Sequence, residues 1–374
     1  MNRKWIVLAV FLILVVDNGS SDGSVDWLKS HQYPTIFLEE NTGFSGAVNV
    51  GIKASKTPFV LLLNNDTEVE PDFIGEMIKA IGRSDKIFDV SSKMVQMYHK
   101  ELMDDAGDMY SILGWAYQRG VGRSSKGYNR EREVFSACAG AAIYRRAVFE
   151  QIGYFDEMHF AYLEDIDVCY RAKIFGWHNR YCPTAVVYHV GSGTSGSKYN
   201  AFKVRLAARN NVYLNYKNMP LFQLLVNALP ITMGIIVKYG FFQKLGFGKE
   251  YLDGVKEGIK TRKKCAKVAY FPEHMPNYLA IQNNKELQIS GEKIKMADNE
   301  KKAAFTKYFP QLSANGAYMW NQKDINLLDM GALSSSLSSS LGGLAQLPMI
   351  QHLMSGVNDM QHLDVQNIWV GNVS

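Results

Sequence analysis

The strongest structural signal in the sequence is an alternation of short apolar runs and amphipathic segments between residues 11 and 81. The runs "FLILVV", "TIFLEE" and "PFVLLL" are rich in Val, Ile and Leu, as buried parallel strands are. Between and after them, "NTGFSGAVNVGIKAS" and "PDFIGEMIKAIGRS" have the pattern of helices. Strands and helices in this order predict a parallel sheet covered by helices on both faces.

Polar residues follow two of these strands at their carboxyl ends. Asp17 ends the first run, and Asn65 and Asp66 end the third. Ligands of parallel α/β sheets bind at this edge, and a carboxylate there is well placed to hold a hard divalent cation. Taken alone, however, an Asp after a strand more often caps a turn than binds a metal.

A second group of carboxylates begins the helix predicted for "YLEDIDVCYRAKIFGW". Asp167 and Arg171 are four residues apart, which predicts a structural ion pair. Glu164 and Asp165 have no such partner within the turn. One of these two carboxylates is therefore a candidate general base that takes a proton from an attacking hydroxyl.

His189 ends the strand predicted for "RYCPTAVVYHV" and precedes a Gly and Ser loop. A lone His is more often structural, yet this position suits a second contact to a metal or a phosphate. The glycine-rich segments match neither the dinucleotide-binding nor the phosphate-loop pattern. This mismatch lowers the case for a dehydrogenase or an NTPase.

Composition narrows the partners and the compartment. Lys and Arg outnumber Asp and Glu by 41 to 36, a formal charge of +5 that suits an anionic ligand or an anionic membrane surface. No basic stripe with interleaved aromatic residues is present, so we expect no nucleic-acid partner. The four cysteines are widely spaced, which predicts neither a zinc site nor a disulfide framework and favours the cytoplasm.

The apolar run Trp5 to Val16 resembles a signal peptide or a membrane anchor. As a helix its twelve residues span about 18 Å, too little for a hydrocarbon core of about 30 Å. We favour a buried strand. A secreted or anchored adhesin-like protein is the interpretation that follows if the run is a signal or an anchor.

Two further regions follow residue 215. Leu221 to Val237 carries no charge and lies between Lys217 on one side and Lys238 and Lys244 on the other. This pattern fits a helix lying in a membrane interface and equally a buried hairpin broken at Pro230. We predict an apolar and basic membrane-associating region over 216–265 and a tail of unknown role over 266–374, partly of low complexity.

Six strings, in order over roughly residues 11 to 215, resemble a family 2 glycosyltransferase of the GT-A fold, in its rhamnosyltransferase-like branch. They are "VVDNGSSDGS", "ENTGFSGAVNVGI", "LLLNNDTEVEPDF", "CAGAAIYRRAVFEQIGYFDE", "YLEDIDVCYRA" and "AVVYH". The resemblance implies an α/β fold with a mostly parallel sheet, helices on both faces and a helical C-terminal extension. It assigns the glycosyltransferase domain to residues 1–215.

The resemblance also implies roles for single residues. Asp165 would be the catalytic base with Glu164 beside it, and Asp66 and His189 would hold Mg²⁺ or Mn²⁺. Gly140 and Ala141 would border the acceptor site. The nucleotide pocket would be formed by Asp17, Asn18, Gly43, Phe44, Asn49 and Asn65.

The implied activity is an inverting transfer of a sugar, with rhamnose suggested by the branch, from a dTDP-, UDP- or GDP-linked donor. The acceptor would be a cell-surface saccharide or a lipid-linked saccharide. The enzyme would be cytoplasmic and peripheral on the inner face of the cell membrane. The alternative is a catalytically inactive protein of this kind that binds a nucleotide sugar or a saccharide.

The family begins with a further strand and helix before the string "VVDNGSSDGS". Only sixteen residues precede Asp17, whereas a strand, helix and strand unit needs roughly 30 or more. We therefore expect the family's first strand either to be absent or to be replaced by a compensating pairing of Trp5 to Val10.

Overall fold

The structure is a computed structural model that describes residues 13–191 and 199–283. Its strands are β1 Val15–Asp17, β2 Thr35–Phe37, β3 Phe59–Leu63, β4 Thr67–Val69, β5 Ile87–Gln96, β6 Met103–Asp105, β7 Asp108–Tyr110, β8 Ala116–Gln118, β9 Arg132–Val134, β10 Ala141–Arg145 and β11 His178–His189. Its α-helices are α1 Ser24–Ser30, α2 Gly43–Ala54, α3 Phe73–Ile81, α4 Arg146–Ile152, α5 Glu164–Ile174, α6 Ala201–Asn218, α7 Leu221–Val226, α8 Ala228–Lys244, α9 Gly248–Thr261 and α10 Met275–Asn283.

The main sheet has the order β3, β10, β5, β11 and β4, with β6 paired to β5 and β9 paired to β11. The α/β class with a helical C-terminal region is confirmed. The sheet is mixed rather than mostly parallel, however, because among the described residues only β1 with β2 and β5 with β11 pair in parallel. Strand β10 inserts antiparallel between β3 and β5, and β4 reverses just after β3 to pair with β11.

Strand β5 lies at the centre of the sheet, although its sequence contains no apolar run. The polar residues Asp89, Ser91 and Ser92 are fully buried within it. Burial raises the pKa of Asp89 to about 7, and the thiol of Cys169 lies 2.7 Å from this carboxyl group. A buried polar core of this kind hides a central strand from any search for hydrophobic periodicity.

Strands β1 and β2 form a separate parallel pair in which Val15 lies opposite Thr35. In the described part of the chain β1 shares no ladder with β3, which ends the main sheet on that side. Helix α2 joins the pair to the rest of the molecule, since its Ile52 is buried in the same cluster as Phe88. The segment Trp5 to Val10, and with it the expected compensating pairing, lies outside the described residues.

The region after residue 215 begins with helices that pack on the sheet domain. The break in the apolar segment falls at Asn227, between α7 and α8, and not at Pro230 as the hairpin interpretation required. Pro230 lies in the first turn of α8, where its missing N–H has no helical acceptor to lose. Within the described ranges no helix combines the length and the apolar character needed to cross a bilayer.

Candidate active site

The carboxyl ends of β3 and β11 bring Asp66 and His189 together. Strand β4 pairs with β11 so that Thr67 lies opposite His189, which places Asp66 beside the end of β11. The Nε2 atom of His189 is 3.3 Å from Oδ1 of Asp66, and the backbone N–H of Val190 donates to the Asp66 carbonyl at 3.1 Å. The two residues proposed to hold a metal are therefore neighbours.

The donor atoms of this pair fit a divalent cation. Oδ1 of Asp66 is buried and has no hydrogen bond that satisfies it. A buried carboxylate oxygen without a donor is costly unless a ligand completes it. A carboxylate oxygen and an imidazole nitrogen suit Mn²⁺, and carboxylates suit Mg²⁺.

A second group with metal-like spacing is formed by Asp156, His159 and Asp167, whose ligand atoms lie within 4.8 Å of one another. Cations of the protein already fill it. Nζ of Lys217 lies 2.6 Å from Asp156 and 2.8 Å from Asp167, and Arg171 donates to Asp167. Burial opposes ionisation, but Lys217 and Arg171 hold the pKa of Asp167 well below its usual range. We interpret this group as a structural ion cluster.

His159 in the same group stays neutral. It is completely buried, and burial lowers its pKa to about 4. Neither ring nitrogen has a hydrogen-bond partner, and the ring packs edge-on against Tyr213. An additional charge at this position would stand beside Lys217, so the imidazole contributes packing here.

The candidate base Asp165 lies in the first turn of α5. Its Oδ2 accepts a hydrogen bond from the Ala139 N–H at 3.3 Å, and its Oδ1 accepts one from the Ile166 N–H at 2.8 Å. Burial raises the pKa of Asp165, although the backbone hydrogen bonds work against that rise. A raised pKa brings a carboxylate closer to the range in which it is an effective base.

Glu164 is buried beside Asp165. Burial and the charge of Asp165 raise its pKa, and its Oε2 has no hydrogen-bond partner. The upward shift favours the protonated form of Glu164, whereas backbone hydrogen bonds oppose the rise at Asp165, which makes Asp165 the stronger candidate base.

Three acids that the sequence pattern did not single out complete the site: Asp104, Asp105 and Asp108, on β6 and β7. Burial raises the pKa of Asp105 to about 8. Burial also raises the pKa of Asp108, and the charges of Asp104 and Asp165 act in the same direction on both groups. Asp104 and Asp165 therefore border one acidic cluster. The signal was the string "MDDAGDMY", which has three carboxylates in five residues.

The loop before α5 has an unusual backbone. Phe160, Tyr162 and Leu163 have φ values of 62°, 69° and 67°, a region that non-glycine residues rarely adopt. Helix α6 holds this loop, because the buried Asn210 side chain donates to the carbonyls of His159, Ala161 and Tyr162. The contacts fix the start of α5 and with it the direction of the Asp165 side chain.

The loops after β1 and β2 are joined by Asn18. Its Oδ1 accepts from the Thr42 N–H at 2.9 Å, and its Nδ2 donates to the Gly43 carbonyl at 3.1 Å. Asp17 is buried beside it and accepts from the Ser20 N–H at 3.1 Å. Gly43 has φ +76° and would drive a Cβ to 2.5 Å from Phe160, so no larger residue fits there.

The other residues predicted for the nucleotide and acceptor sites differ in how deeply they are buried. Asn49 is buried, and its amide bonds to the backbone of Phe155 and to Glu157, so it faces the protein interior instead of a ligand. Phe44 is half-buried against the core, whereas Asn65 is exposed. Gly140 and Ala141 are buried behind Asn64, whose N–H donates to the Gly140 carbonyl at 2.8 Å.

Comparison with known proteins shows which family the chain is similar to. The model of "Glycosyl transferase family 2" matches residues 9–153. A low-salt glycan biosynthesis hexosyltransferase (Agl10) of Haloferax volcanii is 26% identical over 262 residues, 67% of this chain and 83% of that protein. An N-acetylglucosaminyl-diphospho-decaprenol L-rhamnosyltransferase of Mycobacterium tuberculosis is 27% identical over 209 residues, 49% of this chain and 68% of that protein.

Among solved structures, GalNAc-T7 with UDP, GalNAc and Mn²⁺ aligns over 72% of this chain and 51% of that chain, with a TM-score of 0.45 and 13% identity. The sequence matches carry the assignment. The match over residues 9–153 and these relatives together support a family 2 glycosyltransferase.

Proposed function

We propose that the chain is a metal-dependent, inverting glycosyltransferase that moves a sugar from a nucleotide-diphosphate donor to a saccharide or lipid-linked acceptor. One observation carries the proposal. The charges of Asp104 and Asp165 both raise the pKa values of the buried Asp105 and Asp108. Since Asp104 also contacts His189, the candidate metal pair and the candidate base border one acidic cluster.

In the proposed reaction Asp165 accepts the proton of the acceptor hydroxyl as that oxygen attacks the anomeric carbon. The C–O bond to the donor diphosphate breaks on the opposite face, which inverts the anomeric centre. Mg²⁺ or Mn²⁺, held by Asp66 and His189, would supply positive charge to the leaving diphosphate. Hydrogen bonds from the Ala139 and Ile166 N–H groups orient the Asp165 carboxylate toward the acceptor.

The donor nucleotide would bind on the β1 and β2 side of the sheet. We assign the base and ribose to Asp17, Asn18 and Gly43, with Phe44 and Asn65 at the border of the pocket. Gly140 and Ala141 would support the acceptor side through the Ala139 amide. The mycobacterial relative is named as an L-rhamnosyltransferase acting on a diphospho-decaprenol acceptor, which makes rhamnose on dTDP and a polyprenyl-linked saccharide the first pair to test.

Calorimetric titration with dTDP and with UDP tests the proposal. We expect micromolar binding of one nucleotide in the presence of Mn²⁺ and loss of that binding when the metal is chelated. In Asp66→Asn, Mn²⁺ should no longer strengthen nucleotide binding, because the carboxylate that would hold the cation has lost its charge.

The matched control is Asp72→Asn, which neutralises an exposed acid six residues further along and should leave binding unchanged. Binding that is equal with and without Mn²⁺ would contradict metal dependence. No binding of any nucleoside diphosphate would contradict the transferase itself and leave a saccharide-binding protein.

We further propose that α7 and the start of α8 rest on the cytoplasmic face of the membrane. Four aliphatic side chains there are exposed by 46% to 69%: Leu221, Leu225, Val226 and Leu229. Lys267 lies next to the start of α7, with Nζ 3.0 Å from the Met219 carbonyl, and so adds positive charge. Lys217 does not contribute to this face, because it is buried in the ion cluster.

The variant Leu225→Glu with Val226→Glu should bind anionic vesicles at least about tenfold more weakly, since each aliphatic side chain contributes about 1.5 to 3 kcal/mol when removed from water. Cosedimentation with phosphatidylcholine vesicles, with and without phosphatidylglycerol, measures this. Val121→Glu, at an exposed aliphatic residue outside these helices, is the control. Equal binding of both variants would exclude this face.

A further inference from the structure

The imidazole of His189 lies between two carboxylates. Its Nδ1 is 2.6 Å from Oδ2 of Asp104, and its Nε2 is 3.3 Å from Oδ1 of Asp66. Asp104 is on β6, which pairs antiparallel with β5, and β5 pairs in parallel with β11 up to His189. The sheet therefore fixes Asp104 and His189, and Asp66 lies in the turn between β3 and β4, held against the end of β11 by the Val190 N–H.

The two contacts differ in quality. The Asp104 contact satisfies the geometry of a hydrogen bond, whereas Oδ1 of Asp66 remains without one. An ionised Asp104 can only accept at this contact, so it favours the neutral imidazole with its proton on Nδ1 and its Nε2 lone pair on the Asp66 side. This is the tautomer that a metal-binding His needs.

Asp104 itself stands on the other side of the ring. A cation bound to Nε2 and Asp66 would be separated from the Asp104 contact by the width of the imidazole. In the described ranges, Asp104 also does not join Asp66 and His189 in a group whose ligand atoms all approach one another.

We infer that Asp104 is a positioning residue for the metal of the proposed transferase: it orients His189 and fixes its tautomer without binding the cation. The inference rests on the proposed function, because it assumes that Asp66 and His189 bind Mn²⁺ or Mg²⁺. It adds a residue from the region between β5 and β9.

The experiment measures Mn²⁺ bound to the full chain by electron paramagnetic resonance, in the presence of whichever of dTDP or UDP binds more tightly. Asp104→Ala should weaken Mn²⁺ binding about 10-fold to 100-fold. Asp104→Asn, which keeps an acceptor oxygen without its charge, should lie between Asp104→Ala and the wild type. Circular dichroism melts of both variants check that the fold is kept.

A spectroscopic signature separates positioning from direct ligation. Electron spin-echo modulation from the imidazole ¹⁴N should be present in the wild-type chain, absent in His189→Gln and reduced in Asp104→Ala. Glu101→Gln is the matched control, since it neutralises an exposed acid three residues away and should change neither affinity nor modulation.

Each other outcome overturns the inference in a recognisable way. Weaker binding with full ¹⁴N modulation in Asp104→Ala would make Asp104 a ligand. Unchanged affinity and modulation would leave it no role at the metal. A wild-type chain that binds the nucleotide but shows no Mn²⁺, or no ¹⁴N modulation, would overturn the metal assignment in the proposed function and the inference with it.

Discussion

Replacing Asp165 by Asn should leave donor binding intact and slow sugar transfer by about 10³-fold, within the range that a general base contributes. Asn matches Asp in shape and can still accept from the Ala139 N–H, so the local fold is kept. It cannot take the proton of the acceptor hydroxyl. Calorimetry with the donor nucleotide and a radiolabelled transfer assay measure the two effects on the same preparation.

Asp85→Asn is the control for this substitution, because its side chain is fully exposed and its loss should leave transfer unchanged. The wild-type rate should also fall on the acid side at a higher pH than for an ordinary Asp, since burial raises the pKa of Asp165 and protonation removes the base. Transfer by Asp165→Asn at the wild-type rate would remove Asp165 from the catalytic role.

Replacing Lys217 by Met should destabilise the chain by about 3 kcal/mol, near the lower end for removing one partner of a buried ion pair. Lys217 is 5% exposed and bonds to both Asp156 and Asp167, so its loss leaves buried negative charge without its nearest cation. The effect is not larger because Arg171 and Asn218 still donate to Asp167. Urea denaturation followed by circular dichroism gives the free energy of unfolding.

Lys79→Met is the matched control, since Lys79 is 65% exposed in an ion pair on α3 and should change stability by less than about 1 kcal/mol. Combining Lys217→Met with Asp156→Asn should recover part of the loss, because this removes the carboxylate that Lys217 neutralised and keeps the pair of Asp167 with Arg171. A Lys217→Met chain as stable as the wild type would show that the cluster is not a source of stability.

The sequence predicted the strands and helices that have a clear local hydrophobic pattern and missed those that lack one. The strands β3 and β11 and the helices α2, α3 and α5 follow apolar or amphipathic patterns, and the structure has them in those places. Strand β5 was not predicted, because the polar residues Asp89, Ser91 and Ser92 interrupt its apolar pattern although they are buried at the centre of the sheet. A mostly parallel sheet was predicted from the first three strands alone, before the chain inserts β10 in reverse.

The same distinction applies to the site. Asp66, His189 and Asp165 were named because each follows a recognisable strand or begins a recognisable helix. Asp104 and Asp105 lie on β6, which is placed by pairing with β5, and Asp108 lies on β7, which pairs with β8. These pairings are visible only in three dimensions. Their carboxylates are clustered in the sequence, but no local pattern predicts that Asp104 contacts His189.

The separate pairing of β1 and β2 bears on how the proposed donor site could adapt to different nucleotides. The half that would bind the base is attached to the acceptor half through side-chain packing of α2 and the amide of Asn49, with no shared backbone ladder among the described residues. Packed side chains can slide by a fraction of a residue where a hydrogen-bonded ladder moves only in whole steps. Under the proposed function, the position of α2 would therefore set the width of the base-binding side, and with it the preference for a pyrimidine or a purine.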